Sequence, residues 1–231
     1  MKVHRFIIKN IAFQPIIEIT DRVFVHQIHT VLGLRVGETI ELCDGRGMCA
    51  RGEITAISKN SVAGSFEAPQ KNSRDTDIEV TLYAAIIKRD NFELLAQKAT
   101  EIGVSKIVPL ITRRTIKMSV NRSRLQTILR EAAEQSGRGV VPVLGEATTI
   151  ERACMELDRN TDAYIFDEAG DELHGVTPTK KIRALFIGPE GGWEPGELEQ
   201  LTHLKKISLG RGILRAETAA IIATHWAVTT I

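Results

Sequence analysis

Phe186-Ile187-Gly188-Pro189-Glu190-Gly191-Gly192-Trp193 closes an apolar run, and a second such run ends in Leu209-Gly210-Arg211-Gly212-Ile213-Leu214-Arg215-Ala216-Glu217-Thr218-Ala219. Each is a glycine-bearing loop between a strand-like and a helix-like segment. An open parallel sheet holds its ligands at such loops, beyond the carboxyl ends of its strands. Gly188, Gly191 and Gly192 lack side chains, so a ligand can lie against bare peptide N–H and C=O groups, and Pro189 stiffens the entry. Taken alone, the first loop also reads as a tight strand-to-helix turn, with Pro195 in the first helical turn and no ligand. The second loop excludes two ligand classes. Gly210 and Gly212 open like a dinucleotide fingerprint, but Arg215 stands where the third glycine would let helix and strand pack closely. Nowhere does a glycine precede Lys and then Ser or Thr in phosphate-loop spacing. A ligand other than a phosphate tail is expected.

Outward from these loops, strand and helix alternate. Ile78 to Ile87, Lys106 to Ile111, Ala163 to Phe166, Ala184 to Ile187 and Lys206 to Leu209 are short apolar strands, as in a sheet covered on both faces. Phe92, Leu95, Ala99 and Ile102 share one helical face that Gly103 ends. Arg124 to Ser136 turns Leu125, Ile128, Leu129 and Ala132 inward. A last helix, Ala216 to Val228, is rich in Ala and Thr, so another backbone can approach it closely. The pattern is that of an α/β domain with a mostly parallel sheet. Before it come β-like runs at His4 to Lys9, Thr39 to Leu42, Gly52 to Ile57 and Ser61 to Phe66. Asp44-Gly45-Arg46-Gly47 and Lys59-Asn60 supply turns, and Phe24, Val25, Ile28, Val31 and Leu32 form one helical stretch. A small β-barrel over residues 1–72 is expected, then the α/β domain over 73–231, with polar Ala68 to Asp75 as linker.

The 231 residues are 43% hydrophobic and 26% charged, which is an ordinary globular balance and excludes a disordered chain. No stretch approaches the roughly 18 apolar residues of a membrane span, and the opening Met-Lys-Val-His-Arg lacks a signal core, so a cytosolic location is expected. Cys43, Cys49 and Cys154 show no CxxC spacing; neither a disulfide framework nor a zinc knuckle is expected, and all three read as small buried hydrophobes. His26 and His29 stand one turn apart without a third ligand at suitable spacing, so no metal is expected. Net charge is +1, but Arg113, Arg114, Lys117, Arg122, Arg124, Arg130 and Arg138 crowd one segment, while Asp158 to Glu199 is acidic. One surface suited to a polyanion is expected from that asymmetry.

The chain resembles the RsmE family, the ribosomal small-subunit RNA methyltransferases of the SPOUT superfamily. The resemblance rests on His4-Arg5-Phe6, Val31-Leu32 before Val36-Gly37-Glu38, Asp44-Gly45, Gln97 to Val104, Glu131 to Arg138 with Val141-Pro142, and both glycine loops, in that order. Gly33 stands where the family usually has Arg, and Arg113 where it usually has Glu.

The resemblance implies a PUA-like RNA-binding barrel and a SPOUT-type trefoil-knotted, mostly parallel sheet. It also implies homodimerisation through the second domain, and transfer of methyl from S-adenosylmethionine to N3 of one uridine in the 16S rRNA of the small ribosomal subunit. Gly188, Pro189, Glu190, Gly191, Gly192, Leu209, Gly210, Ile213, Leu214 and Thr218 are then the candidate cofactor-binding residues. Arg215 is the candidate to stabilise charge on uracil, or else a structural ion-pair partner of Glu217 or Glu190. Glu217 is a binding or capping residue first and a base second, since an ordinary Glu pKa of about 4.3 makes a weak base. His4, Arg5, Arg114, Arg124 and Arg138 are the RNA-binding candidates, because Arg matches phosphate oxygens bidentately. Two other readings stand beside this one: a non-catalytic rRNA-binding assembly factor of the same fold, and an α/β nucleotide hydrolase, for which the phosphate loop is missing.

Overall fold

The computed structural model describes residues 3–115 and 119–230, so Lys117 of the basic segment lies outside the described residues. The chain divides into two compact units. Met1–Asp75 with Ala133–Val140 form the first, and Thr76–Ala132 with Val141–Ile231 form the second.

The first unit contains β1 (His4–Ile7), β2 (Ile16–Ile19), α1 (Arg22–His26), β3 (Thr39–Cys43), β4 (Met48–Ile57), β5 (Val62–Phe66) and β6 (Gln70–Lys71). They form one sheet in the order β1-β3-β4-β5-β2, with β6 on β4; β1 runs parallel to β3 and the other pairs are antiparallel. Alternation along the strands turns Phe6, Ile40, Leu42, Ile54 and Val62 onto one core, which Phe24, Val25 and Ile28 complete from the helical side. Asp21 caps α1 through the Phe24 N–H at 2.9 Å. The helix runs on in a π-type turn, Gln27–Val31, and Gly33 comes after it at φ 62°, a left-handed conformation that glycine holds without strain.

Three expectations for this unit are corrected. Ala68 to Asp75 is no free linker: β6 pairs with β4, Asn72 is buried, and its side chain donates to Asp75 and to the Gly137 carbonyl. Ala133–Val140 joins this unit through the Glu134 carboxylate on the Ile7 N–H at 2.8 Å and through bridges from Val140 to Gly45 and Arg46. Cys43 and Cys49 form a disulfide, since the β3–β4 register sets them directly opposite one another with Cα atoms 4.1 Å apart.

The second unit contains β7 (Glu79–Ala85), α2 (Arg89–Ile102), β8 (Lys106–Ile111), α3 (Arg122–Ser136), β9 (Val143–Leu144), β10 (Thr148–Thr149), α4 (Ile150–Met155), β11 (Thr161–Glu172), β12 (Ile182–Ile187), α5 (Pro195–Gln200), β13 (Lys205–Ser208) and α6 (Ala216–Thr229). The last four residues of α3 cluster with the first unit. The sheet order is β10-β8-β7-β12-β11-β13, with β9 beside β8, and every pairing is parallel. One face carries Val80, Leu82, Leu185 and Ile187 against Phe92 and Leu95 of α2, Leu125 and Leu129 of α3, and Ala220, Ala223 and Trp226 of α6. The other carries Tyr83, Val108, Ile165 and Phe186 against Ile150 and Ala153 of α4 and against Leu201 and Leu204. Full burial of side chains such as Leu82, Leu95 or Phe92 contributes roughly 2 kcal/mol each.

Two backbone features fix the carboxyl ends of the central strands and the helix beside them. β11 pairs with β13 at Tyr164–Phe166, shifts register, and pairs again at Asp171 and Glu172. Within the shift lies Gly170, where a Cβ would stand 2.5 Å from the backbone of Ile207. The buried Arg183 of β12 donates to the carbonyls of Ala227 at 2.5 Å and Thr230 at 2.7 Å, which anchors α6 by its carboxyl end.

Candidate active site

β12, β11 and β13 are neighbours, and the middle of β11 with the chain leaving the carboxyl ends of β12 and β13 encloses a cavity of about 430 Å³. β11 contributes Phe166, Asp167 and Glu168. The segment after β12 contributes Gly188 to Trp193, and the segment after β13 contributes Leu209, Gly210, Gly212, Ile213 and Leu214. Ala216 and Ala219 of α6 line it too.

The loop after β12 is built around Trp193. Its indole is buried, its Nε1–H donates to the Phe166 carbonyl at 3.1 Å, and a Cβ on Gly188 would stand 2.9 Å from its ring. Glycine at 188 therefore lets the loop fold flat on the tryptophan, which in turn ties it to the end of β11. The next clamp comes from the turn after β8. Thr112 and Thr115 close that turn through a backbone bond at 3.0 Å and a side-chain bond at 2.9 Å. The Arg114 guanidinium it presents donates to the Gly191 carbonyl and pairs with Glu194 at 2.5 Å. Beneath them the buried Glu197 accepts from the N–H of Arg113 at 2.7 Å and from that of Glu194 at 2.8 Å, the second bond completing a capping box at the start of α5.

The lining of this cavity combines three kinds of contact. Phe166, Ile187, Leu209 and Leu214 offer apolar walls, the glycines offer peptide edges, and Asp167, Glu168 and Glu190 offer negative charge.

Residues 74–228 match the RNA methyltransferase domain family. The chain is 36% identical to ribosomal RNA small subunit methyltransferase E of Rickettsia conorii, over 96% of this chain and 94% of the relative. It belongs to the ribosomal RNA small subunit methyltransferase E family. The enzyme of that name from Bacillus subtilis is 30% identical over 86% of this chain and 84% of its own length. A crystal structure of the Neisseria gonorrhoeae ribosomal RNA small subunit methyltransferase E, bound to S-adenosyl methionine, has a TM-score of 0.89 at 28% identity and covers 96% of this chain and 95% of its own.

In this member of the methyltransferase E family, most of the candidate cofactor-binding residues gather around one cavity. Gly188, Pro189, Glu190, Gly191, Gly192, Leu209, Gly210, Ile213 and Leu214 all line the cavity. Arg215, Glu217 and Thr218 are not among its lining. Arg215 is exposed at the N-cap of α6 and forms no ion pair with Glu217 or Glu190 among the described residues. Glu217 is buried with its Oε2 lacking a hydrogen-bond partner, and Thr218 is half-buried on the same turn.

Of the RNA-binding candidates, the structure buries Arg138 and leaves the others at least partly exposed. Arg5 is held by Glu41 through Nε at 2.7 Å and lies near Asn72, with its side chain 11% exposed. Arg138 is 5% exposed and pairs with Asp75 at 3.4 Å; burial pushes its guanidinium below its ordinary pKa while Asp75 opposes the shift. Arg138 is a structural cation of the first unit, because a buried guanidinium needs its partners within the protein, whereas Arg5 is half-buried and its Nη1 has no hydrogen-bond partner. Arg114 and Arg124 keep about half of their side chains exposed, Arg124 near Glu93 at 3.4 Å, and His4 is half-buried. Sequence reasoning missed Asp167, Glu168, Phe166 and Ala219. The position of Glu168, just beyond an apolar strand in the same sheet as the two glycine loops, was the available signal. Among the described residues no group of three His, Cys, Asp or Glu side chains could hold a metal, and no helix is long and apolar enough to cross a membrane.

Proposed function

We propose that the protein methylates N3 of one uridine in 16S rRNA during small-subunit maturation, with S-adenosylmethionine as the methyl donor. The observation that carries this reading is the cavity formed jointly by the middle of β11 and the segments after β12 and β13, in a chain of the methyltransferase E family. Bound there by these segments, the cofactor would supply an electrophilic methyl group to N3, the electron pair of the carbon–sulfur bond staying with sulfur.

The protein's part is chiefly to orient the two partners. Gly188 to Gly192, Leu209, Gly210, Ile213 and Leu214 hold the nucleoside between peptide edges and apolar side chains, and Thr218 supports the loop from α6. N3 of neutral uracil carries a proton, and its loss spreads negative charge over both carbonyl oxygens. Arg215, exposed and without an ion-pair partner among the described residues at the start of α6, is the residue assigned to stabilise that charge. Glu217, with one buried oxygen left over, is assigned to binding or to taking the proton. Arg113 and Arg211 are exposed in the same unit, and with Arg114, Arg124 and His4 they supply the phosphate contacts. The trefoil threading and the homodimer through the second unit belong to the same reading and rest on the family resemblance.

Nucleoside mapping of rRNA from cells lacking the protein tests the substrate: 3-methyluridine should vanish from the small-subunit RNA, and loss of a different modification would overturn the assignment. Single-turnover transfer by Arg215→Ala, with cofactor affinity measured separately, tests the catalytic residue. Slower chemistry at unchanged affinity is expected, and unchanged chemistry removes Arg215 from the mechanism.

A further inference from the structure

The wall of the cavity carries an uneven charge. Among its described lining residues, Asp167, Glu168 and Glu190 face one cation, Arg114, whose guanidinium is engaged by Glu194 and the Gly191 carbonyl. Asp167 is partly balanced by Lys206 at 4.0 Å and accepts the Ala169 N–H at 3.0 Å. Glu168 and Glu190 are exposed, line the cavity and have no ion-pair partner among the described residues. They come from different segments, Glu168 from β11 and Glu190 from the loop after β12. A cleft lined by one sign of charge concentrates its field on whatever enters.

Resting on the reading that this cavity holds the cofactor, we propose that Glu168, together with Glu190, makes the pocket select the methyl donor over its spent product by charge. S-adenosylmethionine and S-adenosylhomocysteine differ by one methyl group and one positive charge. Their adenosine, ammonium and carboxylate are identical. Shape discriminates weakly between them, because the smaller product fits wherever the donor fits. The sulfonium charge is the strong difference, and it disappears as the methyl leaves. Carboxylates near the sulfur therefore hold the donor, and that extra attraction is gone once transfer is complete, which speeds product release. Each should favour the charged ligand by roughly 5-fold, less at high salt.

Calorimetry on the full chain tests this with three related ligands: S-adenosylmethionine, S-adenosylhomocysteine and sinefungin, which carries an amine-bearing carbon in place of the sulfonium. Glu168→Gln should weaken the donor and sinefungin about 5-fold and leave the thioether product within about 2-fold. For the wild type, rising salt should narrow the same gap. Equal loss for all three ligands, or no loss for any, would overturn the proposal. Ala219→Trp, which fills the cavity from α6, separates this from the underlying assignment: folded variant protein should lose all three ligands. Retention of all three would refute the cavity as the cofactor site, whatever Glu168 does.

Discussion

Arg114 donates its guanidinium to the carbonyl oxygen of Gly191, so the turn after β8 grips the loop after β12 at the point where that loop lines the cavity. The same side chain reaches Glu194, and the fork of the guanidinium is what lets it serve two acceptors at once. Arg114→Ala should weaken S-adenosylmethionine binding about 10-fold, as expected from losing a charge-assisted bond that preorganises a loop. Arg114→Lys should recover part of it. Calorimetry alongside thermal melts checks this; unchanged affinity in both variants would mean that the loop holds its shape unaided.

Gly170 and Gly212 form a matched pair for a packing test. A Cβ at Gly170 would meet the Ile207 backbone at 2.5 Å, whereas one at Gly212 would meet nothing within 4 Å. Gly170→Ala should destabilise the protein by about 3 kcal/mol, because a backbone atom cannot rotate aside. Gly212→Ala should stay within about 0.5 kcal/mol. Urea denaturation of both variants measures the difference, and equal stability would contradict the close crossing of β11 and β13.

These two glycines also mark how far the sequence could be read. Short apolar runs announced the parallel strands, and β8 was found at its observed bounds, Lys106–Ile111. The glycine loops announced the cavity because their backbone chemistry is local. Non-local pairing was not legible. The partners Arg138 and Asp75, Arg5 and Glu41, or Trp193 and Phe166 lie far apart in sequence, and no period or spacing connects them. That is why the buried Arg138 reads as a surface cation. β2, α4 and α5 were too short to show a period, and the Cys43–Cys49 bond depended on strand register, which spacing alone does not give.

Asp162 gives a pH signature. Burial pushes its carboxyl up, but the N–H groups of Lys180 at 2.8 Å and Thr179 at 2.6 Å outweigh this and hold it below the ordinary value of 3.8. A carboxylate with a depressed folded pKa contributes stability that is complete above the unfolded pKa and lost as pH falls through the folded one. Asp162→Asn should therefore be less stable than wild type by about 2 kcal/mol near neutrality, with the gap closing below roughly pH 4. Stability curves taken across the acid range check it; a gap that persists at the lowest pH would assign the loss to packing instead.

The central claim is that this cavity delivers a methyl group to a uracil nitrogen. Purified protein, tritiated S-adenosylmethionine and small ribosomal subunits lacking the modification, with digestion of the rRNA to nucleosides afterwards, measure it directly. The account predicts label in 3-methyluridine from one site of the small-subunit RNA and none with the cavity-filling Ala219→Trp variant. Label in any other nucleoside, or none with wild-type protein that binds the cofactor, would contradict it.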